Sequence, residues 1–283
     1  MGEWYIYTGQ YPEAESALMR ALEVKPTEAL LFLAFINLYS NWGKKEKVEE
    51  YFNKGLEIQP HNWYTYFAMS SYYLFRGELE EAKRMAHKAL NINPQDIYPR
   101  LSLIEIFMIS GEVDSALHYL NEFLRQNLNQ DLFVELGYIE LMRGNKKQAE
   151  LYLDSCIQFN QPLVKEFEDL LPEYYARSRM ALAYALKGES RKALEQAESV
   201  KKSLGESLLS AKWANLWWAV HHLSLAYSLT FVYSLTGQKE EAVRMLDLLV
   251  KNNIMTSAYI KLHPWYKNLS GYPAFEALIN RRT

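Results

Sequence analysis

The chain has 283 residues, 49% hydrophobic and 23% charged, with 12 glycines and 9 prolines, a composition that suits a folded helical protein and argues against disorder. Its formal charge of −3 is spread along the chain, and the richest basic run, Lys44-Lys45-Glu46-Lys47, is mixed with acid, which argues against a directly bound nucleic acid. A single cysteine, Cys156, excludes an intramolecular disulfide and CxxC-type metal or redox motifs, and no apolar run reaches the roughly 20 residues of a membrane span.

In chain order, the dominant signal is a repeat. Gly9, Gly43, Gly77 and Gly111 are spaced by 34 residues, and Pro26, Pro60 and Pro94 keep the same step. Gly144, Gly188 and Gly237 continue the series. Five positions after each glycine stands a small residue (Ala14, Ala82, Ala116, Ala149, Ala193, Ala242), with Val48 the larger exception. An aromatic residue precedes the turn glycine by four positions at Tyr39, Tyr73, Phe107, Tyr184 and Tyr233.

The physics of one unit follows. The glycine supplies the positive φ that closes a first helix, the small residue lets a second helix approach it, and the proline stops the pair. Helices of about 13–15 residues are marginal alone, so stability must come from stacking on neighbours. His61–Pro94 is the best copy.

This pattern resembles the tetratricopeptide repeat, W-x2-L-G-x2-Y followed by Ala, a large apolar residue, Ala and Pro. The third unit fills those places with Tyr66, Met69, Ser70, Tyr73, Ala82, Ala86, Ala89 and Pro94. The second fills them with Phe32, Phe35, Ile36, Tyr39, Val48, Phe52, Gly55 and Pro60. Gly55 departs from the pattern at a cost of about 1 kcal/mol in helix propensity.

The resemblance implies an all-α fold: an α-solenoid of about seven helix-turn-helix repeats in a right-handed superhelix, with a short C-terminal capping tail. The expected solenoid spans 1–255, regular over 1–128 and irregular over 129–255. At the end of the regular part Leu128 replaces the proline; in the irregular half an insertion covers 161–172, and no Gly or Pro interrupts 207–235, which leaves room for one long helix crowded by Trp213, Trp217 and Trp218. Met1 falls inside the expected first helix and Trp4-Tyr5-Ile6-Tyr7 is apolar, so the expectation is a segment of a longer protein.

From 256 to 283 the period ends. His263-Pro264-Trp265-Tyr266, Leu269, Pro273, Phe275 and Leu278 form a tail that resembles those closing repeat regions of bacterial signalling proteins. Such proteins carry winged-helix regulator, nucleotidyl cyclase or Ser/Thr kinase modules. The expected role of the tail is to seal the final hairpin.

Catalytic chemistry finds little support. The six histidines match no zinc spacing. The adjacent pair His221-His222 would point about 100° apart on a helix. Phosphate loops and nucleophile elbows are absent, and Cys156 sits at a small inter-helix position, where a buried inert thiol is expected. No enzyme activity and no cofactor or metal are expected. The lone cysteine and the absence of a signal-peptide pattern suit the cytoplasm, unless the segment belongs to a membrane-anchored protein.

In the tetratricopeptide family the first helices line the concave groove, which places function there. Carried over, the second unit offers Leu30, Leu33, Asn37, Ser40 and Asn41, and the third Tyr64, Phe67, Ser71, Leu74 and Phe75. The fourth offers Tyr98, Leu101, Glu105, Met108 and Ile109, and the fifth Asp131, Val134, Tyr138, Leu141 and Met142. The lysine–asparagine carboxylate clamp of chaperone-binding members is absent, because Leu33 holds the lysine place beside Asn37.

The surface that remains is aromatic and aliphatic, suited to a protein or peptide partner. Packing against the chain's own segments is the competing expectation. The functional expectation is thus an interaction scaffold within a bacterial signalling protein. Two alternatives stay open: a sensor of a peptide, sugar or other small molecule, and the non-catalytic region of a cyclase or kinase.

Overall fold

The computed structural model describes residues 5–6, 9–126, 132–204, 216–251 and 255–281. The solenoid is all-α in these residues. Helix α1 (Tyr11–Val24) is the second helix of the first unit. Five pairs follow: α2 (Ala29–Trp42) with α3 (Lys45–Ile58), α4 (Trp63–Phe75) with α5 (Leu79–Ile92), α6 (Ile97–Ser110) with α7 (Val113–Gln126), α8 (Phe133–Met142) with α9 (Lys146–Glu166), and α10 (Leu171–Leu186) with α11 (Ser190–Leu204). The last pair is α12 (Leu216–Leu235) with α13 (Lys239–Lys251). The tail contributes α14 (Ser257–Leu262), a 3-10 helix (Pro264–Leu269) and α15 (Pro273–Ile279).

The turn glycines do what their spacing requires. All seven have φ between 71° and 81°. In each, the amide after the glycine donates to the carbonyl four residues before it: Lys44 to Tyr39, Glu78 to Tyr73, Glu112 to Phe107, Glu189 to Tyr184 and Gln238 to Tyr233, all at 2.9 Å. Gln10 to Tyr5 and Asn145 to Glu140 complete the series. This is the Schellman closure of a helix, and the recurrent aromatic is the residue whose carbonyl receives it. The small residues Ala14, Val48, Ala82, Ala116, Ala149, Ala193 and Ala242 are all at 0% exposure, as an inter-helix contact demands.

Successive units are tied by the same aromatics. Tyr39 donates to Glu15 at 2.5 Å and Tyr233 to Glu198 at 2.7 Å, each reaching the second helix of the unit before. Burial, together with those carboxylate partners, raises both phenol pKa values. Ser70 and Ser102 meet at 3.0 Å between α4 and α6. In the irregular half, Arg179 of α10 donates to both oxygens of Glu135 of α8, at 2.8 and 2.6 Å, a bidentate pair.

Gly55 has a packing reason: a Cβ there would lie 3.2 Å from Cβ of Phe32 on α2. Gly137 is tighter, with Leu153 only 2.6 Å from where its Cβ would be.

The expected insertion at 161–172 divides between elements. Residues 161–166 extend α9 through Pro162, Asp169 adopts φ 60° in the connecting loop, and Leu171 and Pro172 open α10. Of the long helix expected at 207–235, the described part is α12, residues 216–235. Trp213, Leu128, Asp131 and residues 1–4 lie outside the described residues, as do the side chains of Trp217, Trp218, His221 and His222.

The tail does more than close the last hairpin. The 3-10 helix packs on α12 and α15 on α13. Ser234 donates to the Trp265 carbonyl at 2.9 Å, the Tyr266 hydroxyl meets Thr230 at 2.6 Å, and Arg281 pairs with Asp247 at 2.8 Å. Helix α14, however, reaches α4 of the third unit. Thr256 bonds to the Phe75 carbonyl across 181 positions of chain. The Gly77 turn faces Ala258 and Leu262 closely enough that an added Cβ would touch both.

Candidate binding face

The residues proposed from the sequence for the first-helix face fall into three groups. Glu105 and Tyr138 pack against the chain's own tail, and Phe75 touches it while staying 39% exposed. The Phe75 ring lies 5.3 Å from that of Tyr259, and Trp265 stands edge-on to Tyr138 at 4.8 Å and 84°. Tyr259, at 1% exposure, donates to Glu105 at 2.5 Å and also meets the Tyr227 hydroxyl.

Burial raises the Glu105 carboxyl pKa, against the two phenol donors, Tyr259 and Tyr227, which lower it. The Tyr138 phenol is likewise raised by burial. His263 sits among Tyr227, Phe231, Tyr259, Trp265 and Tyr266. Burial pushes its pKa down to about 3, so the ring is neutral. Leu101 belongs to this packed region too.

Asn37 and Asn41 form a second group on α2. The Asn41 amide donates to the Asn37 carbonyl at 2.8 Å, a bond within one helix turn. Asn37 itself is exposed and its neighbour Leu33 is buried at 4%.

The third group stays open. Tyr64 and Phe67 on α4 and Tyr98 on α6 line a cleft of about 360 Å³, together with Trp63 and Asp96. Tyr64 is 40% and Tyr98 53% exposed. The rings form a continuous wall: Trp63 to Tyr64 at 5.2 Å, Tyr64 to Phe67 at 5.8 Å, and Phe67 to Tyr98 at 5.8 Å. Ser71 turns away from this use by donating to the Phe67 carbonyl.

The cleft lies where two first helices begin. The Asn62 side chain caps α4 by accepting from the amides of Tyr64 and Thr65, and Asp96 caps α6 by accepting from Tyr98 at 3.0 Å. Trp63 and Asp96 were missed from sequence because the family's groove positions start after them, one residue later at Tyr64 and two residues later at Tyr98. The signal was present in the cap residue itself. Among the described residues, no group of three or more His, Cys, Asp or Glu is placed to hold a metal ion. None of their helices is long and apolar enough to cross a membrane.

Residues 29–62 and 64–96 match the tetratricopeptide repeat family. No curated protein sequence matches the chain. Among solved structures, the chain is similar to PilW, described as a widely conserved type IV pilus biogenesis factor, with 19% identity and a TM-score of 0.50 over 71% of this chain and 89% of that one. It is also similar to Pseudomonas aeruginosa pilF, with 16% identity and a TM-score of 0.51 over 71% and 87% of the two chains. At these identities the likeness is one of fold: an α-solenoid of tetratricopeptide-like hairpins.

Proposed function

We propose that this tetratricopeptide-like solenoid is a non-catalytic interaction scaffold whose protein or peptide partner seats on the open, N-terminal part of the first-helix face. The observation that carries the reading is the contrast within one face. Glu105 and Tyr138 pack against the tail, whereas Trp63, Tyr64, Phe67 and Tyr98 line a cleft in which Tyr64 is 40% and Tyr98 53% exposed. Exposed contiguous aromatics are uncommon on a surface without a partner, and Tyr and Trp are favoured interface anchors. The two solved relatives with this fold support a scaffold no further than their shape.

On this reading the partner does not run the length of a groove, because the tail occupies its middle. It approaches units two to four and leaves the sealed half as a rigid base. A role as one module of a larger bacterial regulatory protein fits the tail pattern of Pro264, Trp265, Tyr266, Pro273 and Phe275. The full native reading frame tests that part.

The binding claim is tested with the Tyr64→Ala/Phe67→Ala double variant and an exposed second-helix control, Glu150→Ala, each used as bait for cross-linking and capture. Loss of the captured partner in the double variant alone, with the thermal midpoint unchanged to within a few degrees, is the expected result. Equal capture by both baits would overturn the placement on this face.

A further inference from the structure

The open cleft has a chemistry more specific than apolar. Of its five lining residues, four are aromatic and the fifth, Asp96, is a carboxylate; none is basic. Ring faces carry the negative lobe of an aromatic quadrupole and attract cations placed over them. A carboxylate beside them adds a formal negative charge and directional acceptors. We infer that the cleft formed by Trp63, Tyr64, Phe67, Tyr98 and Asp96 is a pocket for a cationic side chain of the partner, an arginine in the first place. The inference rests on the scaffold reading for the source of the side chain, but not for the chemistry of the pocket.

Three observations favour arginine over an apolar anchor or an anion. A planar guanidinium stacks on a ring and offers paired donors to a carboxylate at the same time, which an ammonium does not. The cleft volume of about 360 Å³ lies at the lower end of the roughly 300–1,000 Å³ usual for small-ligand sites, enough for one long side chain.

The nearby helix starts would by themselves favour an anion, but their amides are already engaged. Tyr64 and Thr65 donate to Asn62, and Tyr98 donates to Asp96. The nearest base of α6, Arg100, is buried and donates to the Pro94 carbonyl, so its guanidinium is turned to the backbone. The aspartate at the cap therefore sets the sign of the cleft.

The test uses the full chain and two probes, N-acetylarginine amide and its uncharged isostere N-acetylcitrulline amide, titrated by NMR against wild type, Asp96→Asn and Tyr98→Leu. Asparagine keeps the helix cap, so Asp96→Asn removes charge without unfolding α6. Tyr98→Leu keeps apolar bulk and removes the ring. Saturable shifts with the arginine probe are expected, with affinity at least about fivefold weaker for citrulline and for each variant. Equal binding of the two probes, no saturation by arginine, or an unaffected Asp96→Asn would overturn the inference.

A lysine probe that binds as tightly as arginine would overturn the guanidinium preference and leave the cation pocket standing. Random peptides displayed to the same proteins separate the two readings. Peptides that bind through Tyr64 and Phe67 without an arginine preference would sink the cation pocket and leave the scaffold. A saturable arginine probe with no selected peptide would do the reverse.

Discussion

Single residues divide by whether backbone conformation or close approach governs them. Gly43 has φ 73° and open space where a Cβ would go, so Gly43→Ala is expected to cost about 1–2 kcal/mol through left-handed strain alone, and Gly43→Asn less, because asparagine tolerates that region. Gly137 is the opposite case: its helical backbone would welcome alanine, but Leu153 stands 2.6 Å from the Cβ position. Gly137→Ala is therefore expected to destabilise by about 1–3 kcal/mol despite the better helix propensity, and Leu153→Ala in the same chain should lower stability further, by less than the about 2–5 kcal/mol usual for a buried leucine, because the added methyl occupies part of the space it leaves. Denaturant midpoints of the four variants check both statements. Gly55 lies between these cases: the 3.2 Å approach to Phe32 works against the alanine's propensity gain, and a change of under about 1 kcal/mol is expected.

Among the elements, α14 and the 3-10 helix couple the tail to the solenoid through a few polar contacts set in aromatic surroundings. Tyr259→Phe removes the donor to Glu105 and leaves its carboxyl with one phenol fewer, at an expected cost of about 1–3 kcal/mol. Acid acts on the same region. His263 has an ordinary value of 6.5 and a folded value of about 3. Its ring is neutral in both states above pH 6.5, whereas between pH 6.5 and 3 the unfolded chain binds a proton that the folded one refuses.

Stability is therefore lost progressively as pH falls through that window. Glu105 works in the other direction. Its raised value means that the folded state binds the proton more readily, so its contribution is present below 4.5 and lost as pH rises through its folded value. Thermal melts from pH 7.5 to 4.5 are expected to show a falling midpoint in wild type, and His263→Phe should flatten the decline. An unchanged slope in His263→Phe would show that acid acts elsewhere.

At the scale of the whole molecule, contacts across the first-helix face alter how a repeat array should unfold. A solenoid with neighbour contacts alone melts as a sum of units and interfaces. Here Thr256 reaches Phe75 and Tyr259 reaches Glu105, across 181 and 154 positions of chain, so the third, fourth and last units are joined. Tyr259→Ala with Trp265→Ala is expected to uncouple them. The signature is a broader or split thermal transition, with faster amide exchange in α4, α6 and α8 as well as in the tail. A single sharp transition at a lower midpoint would mean instead that the array is cooperative without the tail.

The repeat was legible from the sequence because it is local. Positive φ at a glycine, a carbonyl four residues earlier and a small residue five later are all decided within one hairpin, and each recurs at the expected places. Family spacing also brought out Tyr64, Phe67 and Tyr98 as one surface, since adjacent first helices present equivalent positions side by side. What no local pattern carries is how far the stack turns, and hence which distant element meets which face. Only the tertiary structure decided that Glu105 and Tyr138 pack against Tyr259 and Trp265, and that Asp96, a helix cap in sequence terms, completes the aromatic cleft. Small rotations accumulated from unit to unit set the first outcome, and the side-by-side packing of α4 and α6 set the second.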